Sequence, residues 1–213
     1  MRIDKPRAYI LCLWALLACS SAIGLAAYPL AAFELSEDES ATLKSGQPVV
    51  RVAPAEAPAD GHVMAAIDIA APRARVWQVL SDCAQAPVIM PNLTYCAVLE
   101  TGPGGVWDIR EHRVTWIKLL PEIRTQFRSE YVKDTSIRFQ LVGGDMRALD
   151  GEWQLAPLRG GAATRLTYNA RVGFGALIPG FVIRNALATD VPGFLMAIKA
   201  VSTQPSAPQT AVQ

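Results

Sequence analysis

Residues 181–201 read FVIRNALATDVPGFLMAIKAV, and Ile183, Leu187, Val191, Phe194, Leu195, Ile198 and Val201 recur at helix spacing. A helix about 30 Å long with one apolar side must be covered by something. Pro192-Gly193 is expected to break or kink it, because proline removes a backbone donor. The cover is written in the preceding residues. Six strand-like runs follow one another at Thr94–Glu100, Val106–Trp116, Ile123–Lys133, Ser136–Val142, Arg147–Ala156 and Ala163–Val172. Turn chemistry punctuates them at Gly102-Pro103-Gly104-Gly105, Lys133-Asp134, Gly143-Gly144-Asp145 and Arg159-Gly160-Gly161, as an antiparallel meander requires.

Upstream of the meander, His62–Ile69 is β-branched and partly alternating, which suits one more strand. Ala71-Pro72 ends it and opens a helix that buries Val76, Trp77, Val79 and Leu80; a second short helix covers Ala84–Met90. The order is therefore strand, two helices, six strands, long helix. It predicts an α+β helix-grip fold, in which a curved antiparallel sheet of six to seven strands wraps the terminal helix and leaves a cavity between them. The domain spans 62–203. Residues 34–61 read as an arm or linker: a short helix is possible over Glu34–Lys44, whereas Pro48, Pro54 and Pro58 oppose long regular structure over Gln47–Gly61. Residues 204–213, rich in Pro, Ser, Gln and Ala, read as a disordered tail.

The first 33 residues read as an export element. Arg2, Lys5 and Arg7 precede an uncharged apolar run from Ala8 to Phe33. Three outcomes are open: a cleaved signal peptide, a retained membrane anchor with its positive end inside, or lipidation at Cys19 in Leu16-Leu17-Ala18-Cys19. All three place the domain outside the cytoplasm, in the periplasm or secreted, with membrane association through this segment in the anchored cases. Two of the four cysteines, Cys12 and Cys19, lie within it. The domain keeps Cys83 and Cys96, which an oxidising compartment would let bond; two separate buried thiols are the alternative.

The 51% hydrophobic and 18% charged composition suits a globular domain with a real core. Twenty Lys and Arg against 19 Asp and Glu provide no basic field for a phosphate backbone, so nucleic acid is not an expected partner. His62 and His112 lack metal-site spacing, and neither glycine-rich turn, 102–105 or 173–175, leads into Lys-Ser/Thr, so no metal or cofactor is expected.

Ile69-Ala70-Ala71-Pro72-Arg73-Ala74-Arg75-Val76-Trp77-Gln78-Val79-Leu80-Ser81-Asp82 resembles the opening signature of the polyketide cyclase/coenzyme Q-binding START family. Pro91-Asn92-Leu93, Gly144-Asp145-Met146, Gly151-Glu152-Trp153-Gln154-Leu155 and Thr164-Arg165-Leu166-Thr167-Tyr168 resemble its later stations in order and spacing. The resemblance runs from His62 to about Thr203 and implies a cavity for an apolar ligand. The family includes binding proteins and cyclases, so fold alone does not choose between them.

Within the run 107–113, adjacent strand residues point to opposite faces. Trp107, Ile109, Glu111 and Arg113 share one face, and Asp108, Arg110 and His112 the other. The apolar Trp107 and Ile109 suggest that theirs is the inner face, with Glu111 and Arg113 either a polar pair in the cavity or an ion pair at its rim. Trp77, Phe127, Trp153 and Tyr168 are further wall candidates, joined from the terminal helix by Phe181, Leu187, Val191, Phe194 and Leu195. Each can equally be core filling. Trp116, Phe139 and Tyr131 belong to the same aromatic set. No nucleophile with an orienting base is legible, so no catalytic residue is assigned. The expected function is a monomeric carrier of a hydrophobic small molecule such as a lipid, isoprenoid or polyketide-like compound. The alternatives are a cyclase or dehydratase with Glu111 as base, and an interaction module using the arm before Gly61.

Overall fold

The computed structural model describes residues 34–55, 60–90, 92–115, 122–174 and 178–205. Residues 1–33, read from sequence as an export element, together with Trp116, Pro91, Gly175 and the residues after 205 lie outside that set. The order is α1 (Glu37–Lys44), β1 (Val49–Pro54), β2 (Asp60–Ile69), α2 (Arg73–Ser81), α3 (Ala86–Ile89), β3 (Leu93–Thr101), β4 (Trp107–Val114), β5 (Ile123–Val132), β6 (Ser136–Gly144), β7 (Met146–Leu158), β8 (Ala163–Phe174) and α4 (Gly180–Thr203). The eight strands form one sheet in the order β1-β2-β8-β7-β6-β5-β4-β3, antiparallel at every pairing. This is the expected α+β helix-grip architecture.

The sheet has one strand more than the six to seven expected, and it comes from the stretch read as arm or linker. β1 pairs with β2 from Val49↔Ala66 to Pro54↔Gly61. Prolines did not prevent it, because Pro48 precedes the strand and Pro54 ends it on a sheet edge, where a missing donor breaks little. Val50 and Val52 pack toward the main core, while Val49 joins Leu43, Ala66 and Leu35 in a small second cluster beneath α1. A capping box holds the start of α1: Glu39 N–H donates to Ser36 Oγ, and Ser36 N–H to the Glu39 carboxylate.

Alternation decides the main core. Val63, Ala65, Ile67 and Ile69 of β2 and Leu166, Ala170 and Val172 of β8 are buried against Ile183, Leu187, Val191, Leu195 and Ile198 of α4. Pro192 does not break α4, which runs unbroken for 24 residues. Its missing N–H would have served the carbonyl of Ala188, an exposed residue, so water can take over that acceptor while the buried stripe holds the helix on the sheet. The turn that follows α2 and the edge strand β3 bring Cys83 and Cys96 to bonding distance, with Cα atoms 5.6 Å apart.

Candidate ligand cavity

Between α4 and the sheet lies a cavity of about 200 Å³. Phe127 and Tyr168 wall it from the sheet, Leu187, Val191 and Phe194 from the helix, and Met90, Asn92 and Leu93 from the end of α3 and the start of β3. A second chamber of about 80 Å³ adjoins it, lined by Arg110, Ser129, Tyr131 and Trp153 among others. Met90, His112, Phe127 and Phe194 belong to both walls and so form the partition. The outer chamber is almost wholly apolar. The inner one is not.

Aromatic rings build the sheet side. Trp153 stacks on Tyr168 with centroids 4.1 Å apart, Phe139 on Tyr168 at 6.1 Å, and Phe127 meets Phe139 edge-on at 6.4 Å. Phe194 closes on Trp153 from the helix at 5.4 Å. Gly151 makes room for this stack: a Cβ there would lie 2.3 Å from the Asn169 carbonyl oxygen and 2.7 Å from the Phe139 ring. Burial alone raises the pKa of the Tyr168 hydroxyl, so it stays protonated as a neutral group.

The face assignment of β4 is reversed relative to the sequence reading. Trp107, Ile109, Glu111 and Arg113 lie on the outer, convex face and cannot wall the cavity; Asp108, Arg110 and His112 point inward. Alternation held, but the inference from hydrophobicity did not. Trp107 is satisfied outside by the Arg128 guanidinium, 3.9 Å from its ring centroid, and by packing over the Gly102 turn. Glu111 accepts hydrogen bonds from Gln126 Nε2 and Arg113 Nε, both 2.8 Å, which hold its carboxyl below the ordinary range. It is a structural ion pair of the outer face. As a base for cavity chemistry it is displaced to the wrong side of the sheet.

Other candidates divide. Phe127, Tyr168, Leu187, Val191 and Phe194 line the outer chamber and Trp153 the inner. Leu195 is fully buried core, Phe181 is 66% exposed on the first turn of α4, and Trp77 packs edge-on against Tyr131 at 5.9 Å behind the chamber. None of these three is among the wall residues of either chamber.

His112, Arg110 and Asp190 are wall residues that hydrophobicity did not point to. The register contained the missing signal: Arg110 pairs with Phe127, and cross-strand partners share a face, so an inward Phe127 carries Arg110 and His112 inward with it. Arg110 is held by Asp108 at 2.8 Å and by the Ser81 carbonyl at 2.6 Å, and Tyr131 donates its hydroxyl to Asp108 at 2.8 Å. His112 meets Phe127 edge-on at 4.7 Å, and its Nε2 is buried with no hydrogen-bond partner. Burial, assisted by the Arg110 charge, lowers its pKa from 6.5 to about 4. Unfolded His112 therefore takes a proton near pH 6.5 and folded His112 only near 4. Stability should fall on the order of 2–3 kcal/mol between those values and be insensitive to this group above them. Urea midpoints against pH should show that slope, flattened in His112→Leu.

Among the described residues no group of three or more His, Cys, Asp or Glu side chains is placed to hold a metal ion. A family model described as polyketide cyclase / dehydrase and lipid transport matches residues 69–199.

The chain belongs to that family. The match begins at the signature on Ile69 and ends within α4, so it covers both walls of the cavity. Solved structures of START-like proteins share the fold. A STAR-related lipid transfer protein from Xanthomonas axonopodis superposes with a TM-score of 0.65 at 17% identity, covering 74% of this chain and 94% of that one. An aromatase/cyclase, Zhui, from Streptomyces sp. R1128 gives 0.54 at 19%, with coverages of 67% and 91%. A START superfamily protein from Mycobacterium smegmatis gives 0.56 at 16%, with 73% and 96%. No curated protein matches the chain.

Proposed function

We propose that this member of the polyketide cyclase/dehydrase and lipid transport family is an exported carrier that encloses one compact hydrophobic molecule. The observation that carries the reading is the cavity itself: the long helix and the sheet leave about 200 Å³ between apolar walls unfilled by side chains. Cores close-pack, so apolar walls left apart in this way lack packing contacts that an apolar guest entering through the mouth would restore. A dry apolar cavity of about 150 Å³ accepts benzene. The outer chamber therefore suits a small ring system or a short chain end, with any longer tail left in the mouth. Apolar burial at roughly 25 cal/mol per Å² supplies the affinity.

Export is supported by the basic start and the uncharged run from Ala8 to Phe33, and by a cysteine pair set at bonding distance, which an oxidising compartment would lock. Native mass spectrometry of the full chain, followed by solvent extraction, tests the carrier reading. A stoichiometric apolar molecule is expected; a chain that is empty and takes up no apolar probe would overturn it. Ala186, on the wall contributed by α4, provides a plug. Ala186→Phe should lower probe uptake at least tenfold while moving the urea midpoint little, as checked by fluorescence titration.

A further inference from the structure

The inner chamber is built differently from the outer one, and the difference concerns oxygen. Three polar side chains, Arg110, Ser129 and Tyr131, meet there, with His112 in the partition. Arg110, Ser129 and Asp108 are buried, and the Arg110 charge is already neutralised by Asp108. Tyr131 has spent its proton on the same carboxylate. Of the described polar side chains on these walls, the imidazole alone has a buried nitrogen without a partner, Nε2. A buried polar atom without a partner is a standing cost that a ligand oxygen can relieve. The ring lines both chambers, so a turn about Cβ–Cγ presents either nitrogen to a guest.

Charge narrows the guest further. His112 is neutral at ordinary pH, the Asp108–Arg110 pair sums to zero, and Asp190 stands on the wall of the outer chamber, its pKa raised by partial burial. Among the described wall residues none offers an uncompensated cation to an anionic head, and the carboxylate at Asp190 opposes its passage. A neutral hydroxyl or carbonyl meets neither obstacle.

Resting on the carrier reading, we propose that His112 is the polar anchor of the cavity: the ligand is a compact apolar molecule with a neutral hydroxyl or carbonyl, bound oxygen first against His112 with its apolar body in the outer chamber. The hydrophobic walls select for grease, and the imidazole selects for the one oxygen and sets the orientation.

Three probes of similar size test this on the full chain: naphthalene, 2-naphthol and 2-naphthoate, titrated by intrinsic tryptophan fluorescence. 2-Naphthol should bind three- to tenfold more tightly than naphthalene, and 2-naphthoate more weakly than either. His112→Leu should abolish the preference for naphthol while leaving naphthalene affinity within about twofold, and His112→Gln should restore part of it. The chain has two histidines, and His62 lies on the outer face with its Nε2 2.6 Å from Asn169. Imidazole nitrogen resonances should therefore move for one histidine with naphthol and for neither with naphthalene, a readout independent of the variants' stability. Equal binding of naphthol and naphthalene, with unmoved imidazole resonances, would overturn the anchor and leave the cavity reading standing. Tightest binding by naphthoate would overturn it through the charge argument. Failure of all three probes to bind would overturn the carrier reading and this one with it.

Discussion

Arg147→Met should cost about 1–3 kcal/mol, the range for leaving a buried polar group without its partner, because the Asp60 carboxylate is buried while the Arg147 side chain is 43% exposed and solvent takes over part of its role. Asp60 opens β2 with 1% of its surface exposed, and Arg147 Nη2 donates to its Oδ1 while Arg147 Nε reaches the Phe174 carbonyl at 3.3 Å. The other carboxylate oxygen, Oδ2, already lacks a partner. Methionine keeps the stem but strands a buried charge. The site has no room to rearrange, since even a Cβ at Gly173 would fall 1.9 Å from Asp60 Oδ1. Urea denaturation should show the midpoint falling at unchanged slope. Adding Asp60→Asn should recover most of the loss, because an amide is cheaper to bury than a carboxylate. A cost below about 1 kcal/mol for the single variant would mean that solvent reaches Asp60 and that the pair is an ordinary surface bridge.

Cys83→Ser, Cys96→Ser or the double variant should cost about 3 kcal/mol, the chain-entropy value for closing a loop of this length, the cysteines being 13 positions apart. For a domain of this size that is a fall in melting temperature of roughly 6–12 °C. The loop has a functional side. It contains α3 and the Met90, Asn92 and Leu93 wall of the outer chamber, so loosening it should also speed release of a bound probe. Calorimetry and stopped-flow release, each with and without reductant, measure the two effects. Reductant should reproduce the serine variants in the parent chain and do nothing further to them; a parent chain indifferent to reductant would mean that the thiols are not joined.

Single residues show where the sequence was legible. Ile183, Leu187, Val191, Leu195 and Ile198 sit at helix spacing and are buried together, because period and burial are the same fact seen twice. The strands β3 to β8 were equally plain, with turn chemistry marking four of the junctions between them, at 102–105, 133–134, 143–145 and 159–161. β1 was hidden, since Pro48 and Pro54 argued locally against a strand; only the pairing with β2 reveals that both fall where no ladder bond is lost. Pro192 misled in the same manner, its local cost being outweighed by the stripe on either side.

The cavity residues were half legible, and β4 shows why. Its amino acids determine that Trp107, Ile109, Glu111 and Arg113 share one face and Asp108, Arg110 and His112 the other, because side-chain alternation is a property of the extended chain. Which face turns to α4 is not a property of β4. It follows from register with β5, from Arg128 waiting outside to cover Trp107, and from Asp108, Tyr131 and Ser81 waiting inside to satisfy Arg110. Period, composition and turn chemistry are local quantities, so the sequence alone determined the fold and the apolar character of the cavity. The placement of His112 beside a greasy chamber depends on partners 15 and 82 residues away, on Phe127 and on Phe194 across the cavity, and tertiary structure decided it.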